Sequence, residues 1–216
     1  MKGFALAFAA LLLSALTAFS QEEDSRPVYR VKSTLEFLQA LGSDRIVEVE
    51  DSVTLYLSAA LEDEYICGNL GIRQVDQGRV RQRSGIFSEA VADGRQLVLS
   101  RLYNLCIRGN ASLLAIPRHA LVLKFSGCAG ISLEGLCLGH SEDGPAESGV
   151  IGIEGGGNFT LDGCTLSGCG SYGIQGQFFN RLNIKNTNIV GCTEGPLLLQ
   201  EAGEVLLENS DIISKP

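Results

Sequence analysis

Tryptophan is absent from this sequence and proline is scarce, with 5 residues. No cysteine sits in a Cys-x-x-Cys pair or beside a histidine at zinc-ligand spacing, which argues against a thiolate metal site. No cysteine closely follows the N-terminal apolar run, which argues against a lipid-anchored leader. Beyond that run, no segment is long and apolar enough to span a bilayer. Basic residues are in deficit, 17 against 25 acidic, for a formal net charge of −8. That balance disfavours nucleic acid as a partner, and disfavours polyanions such as pectin unless calcium bridges the charges.

The N-terminus has the form of a secretory signal peptide. Met1-Lys2-Gly3 precedes an apolar run from Phe4 to Phe19, and Ala18-Phe19-Ser20 fits the small-x-small cleavage rule. Residues 1–20 are therefore expected to be removed, and export to the periplasm or outside the cell is the expected localisation. An uncleaved anchor is the alternative, although the run falls short of the ~20 residues that a span needs. Loss of Lys2 leaves 16 basic residues against 25, so the mature chain carries −9. The 26 glycines, with abundant Leu, Ile and Val, suit many short strands and tight turns.

Five segments align without gaps and begin at Asn104, Gly130, Asn158, Arg181 and Glu204. Each alternates polar and apolar residues and ends in Gly or Asn. Period two describes a strand with one buried face, and excludes a helical fold over residues 97–213. Leu105, Ile131, Phe159, Leu182 and Val205 form one inward column, spaced 26, 28, 23 and 23 residues apart. Ile107, Leu133, Leu161, Ile184 and Leu207 form the next. Gly109, Gly135, Gly163, Asn186 and Asn209 mark a corner, where left-handed backbone favours Gly and then Asn. A second strand precedes each segment, through Leu97, Leu123, Ile151, Ile174 and Leu197. Gly176 leaves a gap in its neighbouring column that Phe178 is expected to fill. A third strand follows, through Leu138, Leu166, Ile189 and Ile212.

Three short strands per repeat of this length fit a single-stranded parallel β-helix, an all-β solenoid whose coils stack at about 4.8 Å. The Leu-x-x-Leu-x-Leu spacing of a leucine-rich repeat is missing, and a β-sandwich does not explain the column register. Ser33-Thr-Leu-Glu36 is a capping box, so residues 33–41 are expected to form a short helix covering the N-terminal end. The first strands are expected over 45–49 and 53–57. Residues 58–96 are charged and interrupt the repeat, as a surface excursion plus one irregular coil, within a single domain over 21–216. No cap is evident after the last coil.

Ser33 to Val47, Asn104-Leu-Cys-Ile-Arg-Gly109, Leu121 to His140 and Gly168-Cys-Gly-Ser-Tyr-Gly173 carry a resemblance to the right-handed parallel β-helix superfamily of pectate lyases and polygalacturonases. Within it, the chain most resembles secreted bacterial β-helix proteins of unassigned activity. The resemblance spans residues 31–213 and implies the fold, while this fold hosts many functions. Of the polygalacturonase motifs only fragments stand here, Gly139-His140-Ser141 and Leu182-Asn-Ile-Lys185. Their paired aspartates are missing: Asp162 stands alone, with Glu134 on the preceding coil.

The longest repeat holds the loop Gly139–Gly149. His140 opens it, and Glu142, Asp143 and Glu147 offer hard oxygen ligands suited to calcium. The alternative is a solvated acidic loop. Arg118 and His119 on the adjoining coil, and Tyr172 at a corner, complete the ligand-binding candidates. Cys169 and Cys192 share a column at a spacing within the disulfide range of ~4.4–6.8 Å, but their parallel Cβ directions favour two stacked thiols over a bridge. Asn110-Ala-Ser112 and Asn158-Phe-Thr160 are glycosylation acceptors only in a eukaryotic secretory route.

Three functions are open. The first is a long flat face that binds a glycan or cell-surface polymer without a cofactor. The second is a calcium-assisted polysaccharide lyase. The third is a structural module that self-associates end to end through its uncapped C-terminal coil.

Overall fold

The computed structural model describes residues 24–80, 83–141 and 146–214, and the expected signal peptide lies outside them. The chain is mostly strand, arranged in two sheets between which it passes repeatedly. The first sheet takes β1 (Val28–Val31), β2 (Arg45–Val49), β7 (Tyr103–Arg108), β9 (Leu123–Glu134), β11 (Ile151–Asp162) and β13 (Tyr172–Lys185) in that spatial order. β13 then pairs with both β15 (Gly195–Gln200) and β16 (Glu204–Glu208). The second sheet runs β3 (Thr54–Tyr56), β8 (Ser112–Ala115), β10 (Cys137–His140), β12 (Thr165–Ser167), β14 (Asn188–Cys192) and β17 (Asp211–Ser214), every pair parallel.

The alternating pattern becomes parallel register. Leu105, Ile131, Phe159, Leu182 and Val205 are successive ladder partners, as are Ile107, Leu133, Leu161, Ile184 and Leu207. All but the terminal Val205 and Leu207 are buried. Leu55, Leu113, Leu138, Leu166 and Ile189 face them from the second sheet and are also buried. Asn186 and Asn209 hold φ of 47° and 46°, as a left-handed corner requires. Gly156 sits at a sharper bend, with φ 122°, where a Cβ would lie 2.0 Å from the Cys128 carbonyl oxygen.

The gap at Gly176 is filled by Phe179, not by Phe178. A Cβ on Gly176 would lie 2.6 Å from Phe179 Cε1. Phe179 packs edge-on to Phe159, which does the same with Phe125. Phe178 takes φ 58° and turns outward, 57% exposed. The left-handed kink reverses the alternation there, so the next residue faces the core.

Helix α1 (Thr34–Ala40) starts at Ser33, whose hydroxyl accepts from the Glu36 amide, and it buries Phe37 and Leu38 at the N-terminal end. β1 precedes it and pairs with β2 in a strand that the repeat pattern does not announce. Segment 58–96 is more ordered than a surface excursion. It holds most of α2 (Leu57–Glu62), then α3 (Glu64–Asn69), β4 (Arg73–Val75), β5 (Gly85–Val91) and the start of β6 (Gly94–Ser100). β5 and β6 form an antiparallel hairpin, and β6 joins β9 in parallel. The first sheet is therefore mixed. Val80, Phe87 and Val98 form a second small apolar cluster under this segment.

Candidate ligand groove

Glu142 and Asp143 lie outside the described residues. Three other candidates meet. Arg118 Nη2 is 2.7 Å from one Glu147 carboxylate oxygen, and His119 Nε2 is 2.8 Å from the other. The second His119 nitrogen lies 3.2 Å from Asp93. Asp93 also accepts from the backbone N–H groups of Arg118 and His119. Burial opposes the charge of Asp93, but these donors outweigh it and hold its carboxyl below the usual range. The cluster therefore satisfies itself and ties the loop at Glu147 to the turn at Asp93.

The other two candidates stand elsewhere. His140 Nε2 contacts the Ala120 carbonyl oxygen at 2.8 Å, while its buried Nδ1 has no partner among the described residues. Tyr172 opens β13, and the Glu194 carboxylate beside it raises its hydroxyl pKa. Among the described residues, no group of three or more His, Cys, Asp or Glu side chains is arranged to hold a metal ion.

A better formed site occupies the outer face of the first sheet. Lys124, Gly152, Gln175 and Leu198 are successive ladder partners on β9, β11, β13 and β15. Two residues further along, Ser126, Glu154, Gln177 and Gln200 form the next outward row. These rows line a cavity of about 190 Å³ bounded by Leu121. It adjoins a second hollow through Glu154 and Gln177, whose far side is Arg101 and the exposed Phe178. Gly152 keeps the floor low, since a Cβ there would lie 2.4 Å from Leu121 Cδ1. Adjacent coils thus supply a run of amide, carboxylate, cationic and aromatic groups along one groove.

One wall is anchored by a buried charge network. Glu89 on β5 is fully buried and accepts from Lys124 Nζ at 3.0 Å, Gln96 Nε2 at 2.8 Å and the Gly78 backbone N–H at 2.7 Å. Lys124 Nζ also lies 3.1 Å from Glu154, which reaches toward solvent. Burial pushes the Glu89 pKa up. The Gly78 donor, the Lys124 charge and Gln96 overcome this and hold it below its ordinary 4.5. A carboxylate with no exposure cannot reach a substrate. Lys124 Nζ reaches both carboxylates, so this side chain ties the buried Glu89 to the groove lining at Glu154.

The buried thiols Cys106, Cys128 and Cys164 are equally unsuited to nucleophilic work. Burial, followed by Glu134, pushes Cys106 up to about 12. Burial pushes Cys128 and Cys164 up to about 11. Cys169 and Cys192 are joined in a disulfide with Cα atoms 4.5 Å apart, rather than remaining two stacked thiols. The close approach of neighbouring strands at the end of the column brings the two sulfurs together despite their parallel start.

Lys124 and Glu154 carry a sequence signal, being charged residues at outward positions of apolar strands one coil apart. Glu89 carries none, because its partner lies 35 residues away across a segment without repeat. No family model, no curated protein and no solved structure matches the chain.

Proposed function

We propose that the protein is an exported right-handed parallel β-helix whose outer groove binds a polyhydroxylated polymer, a glycan, without cleaving it. Parallel strands joined by crossovers adopt the right-handed sense almost without exception, which supports the handedness. The carrying observation is the run of Gln175, Gln177, Gln200 and Glu154 leading to the exposed Phe178. Amide side chains both donate and accept, matching hydroxyls that do the same. An outward aromatic ring offers a flat apolar surface to the C–H face of a sugar. Neighbouring strands set polar groups side by side at the strand spacing of about 4.8 Å, so the groove suits an extended chain more than a compact ligand. The mixed charge of Lys124, Arg101 and Glu154 along the lining favours neutral or weakly charged sugars.

The test is a glycan array probed with the wild type, with Gln175→Ala/Gln177→Ala and with Phe178→Ala. The expected result is retention of a neutral polysaccharide by the wild type, weakened about tenfold or more in both variants through lost hydrogen bonds or stacking. Equal retention by all three would remove the groove from the account. New ultraviolet absorbance from an unsaturated product, on adding calcium and a uronic-acid polymer, would replace binding by lyase chemistry.

A further inference from the structure

We infer that the protein assembles head to tail with further copies of itself, the C-terminal edge of one chain seating on the N-terminal edge of the next. The two edges match in register. Through successive ladder partners, Val28, Tyr29 and Arg30 of β1 occupy the same columns as Leu206, Leu207 and Glu208 of β16. Adding β1 of a second copy beyond β16 continues each column by one step: Leu206 against Val28, Leu207 against Tyr29 and Glu208 against Arg30. Among the described residues, β1 pairs only with β2 and β16 only with β13. Each therefore presents a free row of backbone donors and acceptors.

Side chains at both edges are apolar and uncovered. Leu206 and Leu207 are 46% and 56% exposed, and Val28 and Tyr29 are 46% and 41% exposed. Tyr29 lies in a column whose equivalents on the inner strands are fully buried, so its exposure marks an unfilled position and not a polar face. Beside β1, a hollow of about 540 Å³ opens between the strand and α1, lined by Val28, Tyr29, Arg30 and Glu36 among others. It is wide enough to receive the leucines of an incoming edge.

Charge selects a second copy as the occupant. Residues 25–35 contain three basic residues, Arg26, Arg30 and Lys32, and no acidic one. Residues 186–214 contain five acidic residues and no basic one. Within one chain Arg30 pairs with Glu48 and Glu208 with Lys185, yet both side chains stay mostly exposed, so Glu208 set against Arg30 would continue the alternation of charge along the column. Such a contact joins two different patches, so it propagates as an open chain of subunits unless rotation closes a ring.

The test is sedimentation velocity on the purified chain over a range of concentration and salt, with Arg30→Glu, Glu208→Arg and an equimolar mixture of the two. The wild type should grow in mass with concentration and shrink with added salt. Each reversal alone should raise the concentration needed for assembly about tenfold or more, because like charges then meet. Mixing the two should restore assembly, since every junction then pairs opposite charges. Unchanged thermal unfolding of each variant separates lost association from lost folding, and Leu207→Asp should also abolish assembly. A wild type that stays monomeric at every concentration would overturn the inference. So would assembly that ignores both reversals.

Discussion

Glu89 is the residue on which the groove wall depends. Its carboxylate is out of reach of water, and among the described residues Lys124, Gln96 and the Gly78 amide compensate the lost hydration. Removing one partner of a buried pair strands the other charge, at a cost of about 3–5 kcal/mol. Lys124→Met should therefore lower unfolding free energy by that amount in urea titrations. The pH dependence should also change sign. In the wild type, Glu89 is held below 4.5, so its contribution is full above that value and is lost as pH falls through the lower folded value. Without Lys124, burial dominates and raises the carboxyl pKa, so stability should instead fall as pH rises above 4.5. Thermal unfolding followed from pH 3 to 7 distinguishes the two curves. At Gly156, both φ and the Cys128 carbonyl oppose a side chain, so Gly156→Ala should cost about 3 kcal/mol by the same titration. Lys124 was open to reading as a charge in an apolar strand, although no site was drawn from it. Its partner was not, because nothing in residues 58–96 repeats, and only tertiary contact brings Glu89 over β9.

At the scale of elements, the β5–β6 hairpin matters most. β6 pairs with β9 within the first sheet, and Val80, Phe87 and Val98 form a cluster of their own apart from the main core. Phe87→Ala should destabilise by about 3–5 kcal/mol and loosen the hairpin, seen as faster amide exchange over residues 85–100. The Cys169–Cys192 bridge joins two successive passes of chain at a sequence separation of 23. Replacing both cysteines by alanine should cost about 2–4 kcal/mol. The strands of the repeat were legible because each buries one face, which forces period two. β1 was not, since four residues ahead of the cap helix carry too short an alternation to read. Phe178 and Phe179 were exchanged for a related reason: strict alternation places 178 inward, but a left-handed kink at that residue shifts the phase by one.

Across the whole molecule, the same stacking that builds the core aligns outward side chains into rows, so a groove along the coils follows from the repeat itself. The loop at 139–149 looked more suited to binding in sequence, because it carries the charges. Its Glu147 is instead engaged by Arg118 and His119, and the better cavity lies among the amides of regular strands. Glutamine at an outward strand position is ordinary in sequence and acquires meaning only when two neighbouring strands, β13 and β15, place their amides side by side. The most direct test is amide chemical-shift mapping by NMR during titration with the oligosaccharide selected on the array. The side-chain amides of Gln175, Gln177 and Gln200 and the backbone around Phe178 should shift together and saturate. Shifts confined to Arg118, His119 and Glu147, with the glutamine amides unmoved, would contradict this.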